Sequence, residues 1–161
     1  EFTRAVLRNC RAECMHTAIE TSFFAPWETV KSILPYVNLA FVDMKFFSND
    51  LHKQYTGVDN ELIKQNLLAT NESEDKFQLV VRTPIVPGLN DSEEELCKIG
   101  EFCTKLKKLS YVQLLPYHKL GTATYEKLGR AYALPDIKSP TPDQMAGYVK
   151  IIERYVENVI F

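Results

Sequence analysis

The sequence predicts an α/β fold built on a parallel sheet, and three observations predict it. Short apolar runs of strand length alternate with helical periodicities along the whole chain. One of those runs, Val37 to Met44, is almost wholly apolar, as a strand covered on both faces must be. The predicted strands end in polar residues, the arrangement by which β/α proteins gather a site at one edge of the sheet. Four such strands with flanking helices make an open crescent or part of a barrel. No repeat or linker divides residues 1–161, which read as one domain.

The elements follow in order. A helical pattern opens the chain, with Phe2, Val6 and Cys10 on one face and Arg4, Arg8 and Arg11 elsewhere. Thr17 to Thr21 is a short strand. Pro26 and Glu28 then open a helix carrying Val30, Ile33 and Leu34, and Pro35 stops it because a proline cannot continue the hydrogen-bond ladder. After the strand Val37 to Met44, Asp59-Asn60 caps a helix running through Ile63, Leu67 and Leu68. Phe77 to Val81 is the next strand, with Arg82 at its end before Pro84. Ser92 and Glu95 have capping-box spacing, and Leu96, Ile99, Cys103 and Leu106 follow at intervals of three and four. Tyr111 to Leu115 is the last predicted strand, and residues 119–139 read as irregular. Thr141-Pro142-Asp143-Gln144 caps a final helix bearing Met145, Tyr148, Ile151, Ile152 and Tyr155.

Composition excludes several classes of function. With 45% hydrophobic and 25% charged residues the chain is that of an ordinary globular protein, not a disordered one. A formal net charge of −2 and the absence of any Lys/Arg block give no electrostatic basis for binding nucleic acid. No apolar run approaches the roughly 18 residues of a spanning helix, and Glu1-Phe2-Thr3-Arg4 has no signal-peptide character, so no membrane role and a cytoplasmic location are expected. The chain reads as a fragment that starts beyond an earlier strand and loop.

The four cysteines do not form a metal motif. Cys10-x3-Cys14 begins the CxxxCxxC spacing of a three-cysteine iron–sulfur site, but Thr17 stands where the third thiolate is needed and Cys10 lies in a predicted helix. Cys97 and Cys103 are six apart on one helix and therefore on different faces. Packing is the reading for all four, and nothing in the spacing calls for a disulfide.

The strand ends carry the candidate site. Glu20, Thr21 and Ser22 close one strand, Asp43 and Lys45 another, Arg82 lies in a third, and His118 follows Leu114-Leu115-Pro116-Tyr117 after a fourth. Each has a plain structural alternative: His118 as a cap on the sheet, Asp43 and Lys45 as a rim ion pair, Arg82 as the partner of a neighbouring carboxylate. His16 and His52 are assigned to structure, and Tyr117 and Tyr125 to packing.

These residues occur in blocks. They are His16-Thr17-Ala18-Ile19-Glu20-Thr21-Ser22, Asp43-Met44-Lys45, Tyr55-Thr56-Gly57 followed by Asn60-Glu61-Leu62-Ile63, Arg82-Thr83-Pro84 with Val86-Pro87-Gly88-Leu89-Asn90-Asp91, and Leu114-Leu115-Pro116-Tyr117-His118-Lys119-Leu120-Gly121. In this order they resemble the glycyl-radical-enzyme activating enzymes of the radical S-adenosylmethionine superfamily, such as pyruvate formate-lyase activating enzyme. That family's CxxxCxxC loop and glycine-rich Gly-Gly-Glu strand end have no counterpart here, so the chain resembles the C-terminal portion.

The resemblance implies a partial (β/α)6 barrel in which S-adenosylmethionine is bound to one iron of a [4Fe-4S] cluster. Reductive cleavage then gives a 5′-deoxyadenosyl radical that takes a hydrogen from a glycine of a partner glycyl radical enzyme. It implies an electron donor such as flavodoxin or ferredoxin, and a fragment inactive alone because every cluster ligand is missing. It places Asp43 and Lys45 in the cofactor region, Glu20 and Thr21 with Asp43 near a monovalent cation at the S-adenosylmethionine carboxylate, His118 on the ribose or adenine side, and Arg82 toward cofactor or substrate backbone. One departure is Phe23, where the family often has glycine; a bulky side chain there is expected to narrow or reshape the cofactor rim.

Two other readings remain open: a non-catalytic β/α module that binds a metabolite or protein, and a metal-assisted barrel enzyme using Asp43, Lys45 and His118, for which the ligands are few. The strand Thr17 to Thr21 is expected at a free sheet edge, where the fragment either self-associates or packs its N-terminal helix.

Overall fold

The computed structural model describes residues 1–161. Five parallel strands, β1 (Ala18–Thr21), β2 (Leu39–Asp43), β3 (Gln78–Ile85), β4 (Leu109–Pro116) and β5 (Val159–Ile160), lie side by side in chain order. The helices are α1 (Phe2–Ala12), α2 (Trp27–Lys31), α3 (Asn49–Thr56), α4 (Glu61–Ala69), α5 (Glu93–Cys103), α6 (Thr122–Lys127) and α7 (Pro142–Ile152).

The sheet has two unlike faces. Ala40, Val42, Leu79, Val81, Val112 and Leu114 form one core with Val30, Ile63, Leu67, Leu96, Ile99, Met145 and Ile152 from the helices. The alternate residues Phe41, Val80, Tyr111 and Leu115 stand outside that core, on the opposite face, where Val80 is fully buried and the other three are half-buried. Arg82, Asp43 and Glu20 lie on this second face, which takes no part in the helical core.

Several expectations are corrected. The strands number five, because Val159 and Ile160 add a two-residue strand to β4, with Val112 opposite Val159. Residues 49–56 form a helix; Ser48 Oγ accepts from Leu51 N and Gly57, at φ 87°, ends it in the left-handed conformation. Residues 122–127 are also helical. On α1 the buried residue is Leu7, whereas Phe2 and Val6 are exposed at 83% and 44%. Helix α1 packs against the 3-10 turn Leu34–Tyr36, with Arg11 donating to Asn38 Oδ1 at 3.0 Å, and leaves β1 as a sheet edge.

Of the three expected caps only one is complete, and at α4 the Asn60 side chain makes no cap bond but donates to the Phe46 and Phe47 carbonyls. Thr141 and Gln144 form a full capping box on α7. At α5, Ser92 Oγ accepts from Glu95 N at 3.3 Å, but the Glu95 carboxylate turns away to accept from Phe47 N and Ser48 N.

Candidate functional site

Register brings the charged residues together. Asp43 pairs with Arg82 and Arg82 with Gln113 along one row, while Glu20 pairs with Phe41 one row earlier on the same face. Arg82 Nε donates to Asp43 Oδ1 at 3.1 Å and its Nη2 lies 3.0 Å from the same oxygen. On the other side of the fork, Nη1 and Nη2 meet the two Glu20 carboxylate oxygens at 3.0 and 3.1 Å. One planar guanidinium thus ties three strands at their C-terminal ends, a geometry a lysine could not supply. Below it the Phe41 ring lies 5.2 Å from the guanidinium carbon, adding a cation–π contact.

The electrostatics follow from this geometry. Arg82 keeps 13% of its side chain exposed, against 27% for Asp43 and 68% for Glu20. Burial disfavours the charged guanidinium, but the bonds to Glu20 and Asp43 outweigh it and hold Arg82 above the ordinary arginine pKa. The hydrogen bond and charge of Arg82 hold the Glu20 carboxyl below the usual carboxylate value.

The other candidate residues are placed differently. Thr21 pairs with buried Val42 on the opposite face from Glu20, and its Oγ1 accepts from Phe23 N at 3.0 Å. Arg82 lies between the Glu20 and Asp43 carboxylates. Lys45 follows β2 as an exposed residue whose ammonium makes no ion pair. His118 lies exposed just beyond β4, with Nδ1 accepting from Leu120 N at 3.4 Å. Tyr117, by contrast, is buried and bonded to Tyr132 Oη and to the Leu134 carbonyl. His52 is 4% exposed with Nδ1 2.7 Å from the Val58 carbonyl, a packing role.

Phe23 stands at φ +56°, the left-handed region that favours glycine, and is only 2% exposed, packed into the core. Asn66 fixes this turn, donating to the Phe23 and Ala25 carbonyls at 2.7 and 2.8 Å. Behind it a groove of about 700 Å³ opens between β1, α2 and the start of α1, lined by Arg4, Ile19, Thr21, Phe24 and Ile33 among others.

The donor set fits one implied group and not the other. S-adenosylmethionine offers an ammonium, a carboxylate, a sulfonium and a ribose diol, and the strand ends present two carboxylates, an arginine, a free lysine and an imidazole. An iron–sulfur cluster finds no ligands: no three His, Cys, Asp or Glu side chains converge. Cys103 is buried with its thiol pushed up to about 12 by desolvation, and Cys14 is exposed beyond the end of α1.

Comparison with known proteins places the chain. No family model matches it. The isethionate sulfite-lyase activating enzyme of Nitratidesulfovibrio vulgaris is 39% identical over 136 residues, 84% of this chain and 44% of that protein. The 4-hydroxyphenylacetate decarboxylase activating enzyme of Clostridium scatologenes is 38% identical over 145 residues, 90% of this chain and 46% of that protein. The indoleacetate decarboxylase activating enzyme of Tractidigestivibacter scatoligenes is 33% identical over 155 residues, 96% and 49% respectively. The chain thus spans about half the length of the curated relatives it matches. In structure, a domain of pyruvate-formate lyase-activating enzyme from Bacteroides vulgatus superimposes with a TM-score of 0.80 at 24% identity, covering 99% of this chain and 89% of that one. Streptococcus suis SuiB gives 0.71 at 15% identity, over 98% and 35%, a likeness of fold alone. The chain is similar to activating enzymes of this kind over about half of their length, and it shares its fold with the domain of pyruvate-formate lyase-activating enzyme.

Proposed function

We propose that this chain is the C-terminal part of an activating enzyme that installs a glycyl radical on a partner enzyme, of the kind pyruvate formate-lyase represents. The observation that carries the reading is the Glu20–Arg82–Asp43 constellation on the sheet face outside the helical core, in a chain similar to activating enzymes. S-adenosylmethionine beside a reduced [4Fe-4S] cluster held by residues outside this chain would supply the radical chemistry when bound. The cluster ligands lie outside these 161 residues in this proposal, so the chain alone is inactive. Its own residues bind and orient: Asp43 and Glu20 accept from donor groups of the cofactor, Lys45 meets a carboxylate, and His118 approaches the ribose or adenine. Arg82 fixes the two carboxylates. Flavodoxin or ferredoxin is the proposed electron donor, and the cytoplasm the proposed location; no helix is long and apolar enough to cross a membrane.

The test is to express the whole reading frame, load it anaerobically with iron and sulfide, and mix it with S-adenosylmethionine, reductant and candidate glycyl radical enzymes. A glycyl radical doublet in the paramagnetic resonance spectrum of one partner supports the proposal, and its absence with every partner tried, despite a loaded cluster, counts against it. The free edge of β1 further leads us to propose that the isolated chain self-associates. Light scattering that returns only monomer at high concentration would sink that idea.

A further inference from the structure

Half of the buried polar side chains converge on one short segment, residues 44–48, which follows Asp43 and carries Lys45. Its carbonyls are claimed one after another by side chains from other elements. Thr83 Oγ1 donates to Met44 O at 2.9 Å, Asn90 Nδ2 to Lys45 O at 2.8 Å, and Asn60 Nδ2 to Phe46 O and Phe47 O at 2.6 and 3.1 Å. Glu95 accepts from Phe47 N and, at 3.0 Å, from Ser48 N. Asn90 is itself held, because its Oδ1 accepts from Val86 N at 2.8 Å and its Nδ2 also meets Pro84 O at 2.6 Å. All four side chains are at most 4% exposed. Phe46 and Phe47 turn into aromatic contacts with Tyr55 and Phe102, so within Lys45-Phe46-Phe47 only Lys45 is left facing solvent.

Buried polar groups cost free energy unless paired, and a connector that merely joins a strand to a helix does not need four of them. We propose that Asn60, Thr83, Asn90 and Glu95 are positioning residues that fix the 44–48 backbone so that the unpaired Lys45 ammonium is presented in one place beside Asp43 and Arg82. This rests on the reading of Lys45 as a cofactor-binding group. It gives a role to two sequence blocks, Asn60-Glu61 and Val86 to Asp91, that supply no group to the charged cluster.

The test is a double-mutant cycle in the full reading frame, loaded with its cluster: Lys45→Ala, Asn90→Ala and both together, with Ile99→Val as a core control. Equilibrium dialysis reads S-adenosylmethionine affinity, and amide hydrogen exchange reads the order of residues 44–48. Asn90→Ala should weaken binding about tenfold, in line with the loss of buried hydrogen bonds, and speed exchange at Phe47 and Ser48. The double variant should bind no more weakly than Lys45→Ala alone, because Asn90 acts through Lys45, while Ile99→Val leaves both readouts near wild type. Losses that multiply in the double variant, or an Asn90→Ala effect no larger than that of Ile99→Val, overturn the proposal. If wild type itself binds no S-adenosylmethionine, the cofactor reading falls; exchange at 44–48 that Asn90→Ala does not accelerate then overturns the clamp independently.

Discussion

Arg82 on β3 reaches across the whole of β2 to hold Glu20 on β1, with two nitrogen–oxygen contacts of 3.0 and 3.1 Å. The guanidinium also grips Asp43 on the strand between, so one side chain staples the sheet edge to its interior.

Arg82→Gln should therefore loosen β1 and leave two carboxylates facing each other without a cation. The expected loss is about 1–2 kcal/mol, below the 3–5 kcal/mol of a fully buried pair because Glu20 stands in water. Urea unfolding reads it as a lower midpoint at unchanged slope. An unchanged midpoint would mean the staple contributes nothing net.

The same pair sets an acid limb. The folded-state pKa of Glu20 is depressed, so its contribution is present above the unfolded carboxyl value of 4.5 and is lost as pH falls through the lower folded value. Stability measured from pH 6 downward, relative to Glu20→Gln, should converge on that variant at the acid end. Curves that stay parallel through this range would remove Glu20 from the account.

Phe23 sets local strain against burial. Phe23→Gly relieves the left-handed φ of +56°, worth about 1 kcal/mol or somewhat more. It also deletes a ring only 2% exposed, a loss of about 3–5 kcal/mol. The variant should be less stable by about 2–4 kcal/mol on this balance, read by chemical denaturation. A more stable Phe23→Gly would show that strain wins.

Gly100 in α5 has no room for a side chain, because an added Cβ would stand 2.7 Å from Tyr155 Cδ2 and 3.2 Å from Tyr155 Cβ. Gly100→Ala should destabilise the protein despite the roughly 1 kcal/mol helix preference of alanine. In a Tyr155→Ala background, where only the 3.2 Å approach to Cβ remains, the loss should shrink, as thermal melting would record. A Gly100→Ala that is stabilising in both backgrounds would contradict the packing.

Much of this was legible in the sequence, for physical reasons. Strands such as 37–44 announce themselves as apolar runs, and Thr141 with Gln144 signals a helix start because the cap is local. Val159 and Ile160 were not legible, since two residues become a strand only through their pairing with β4. Helix α3 was hidden by its polar composition, Asn-Asp-Leu-His-Lys-Gln-Tyr-Thr, in which only His52 is buried. On α1, two apolar stripes competed and the sequence could not say that Leu7, not Phe2 and Val6, meets the core. In the site, Glu20, Asp43 and Arg82 could be placed at strand ends, but their mutual bonding depends on register, and the clamp by Asn60, Thr83, Asn90 and Glu95 on contacts 14 to 48 residues apart.

The most direct test of the central claim is the paramagnetic resonance of the full reading frame after anaerobic loading with iron and sulfide, recorded reduced, with and without S-adenosylmethionine, for wild type and Asp43→Asn. The account predicts a [4Fe-4S] signal in both proteins, reshaped by S-adenosylmethionine in wild type and markedly less responsive in Asp43→Asn. A wild-type protein that forms no cluster, or a signal that S-adenosylmethionine leaves unchanged, would contradict it.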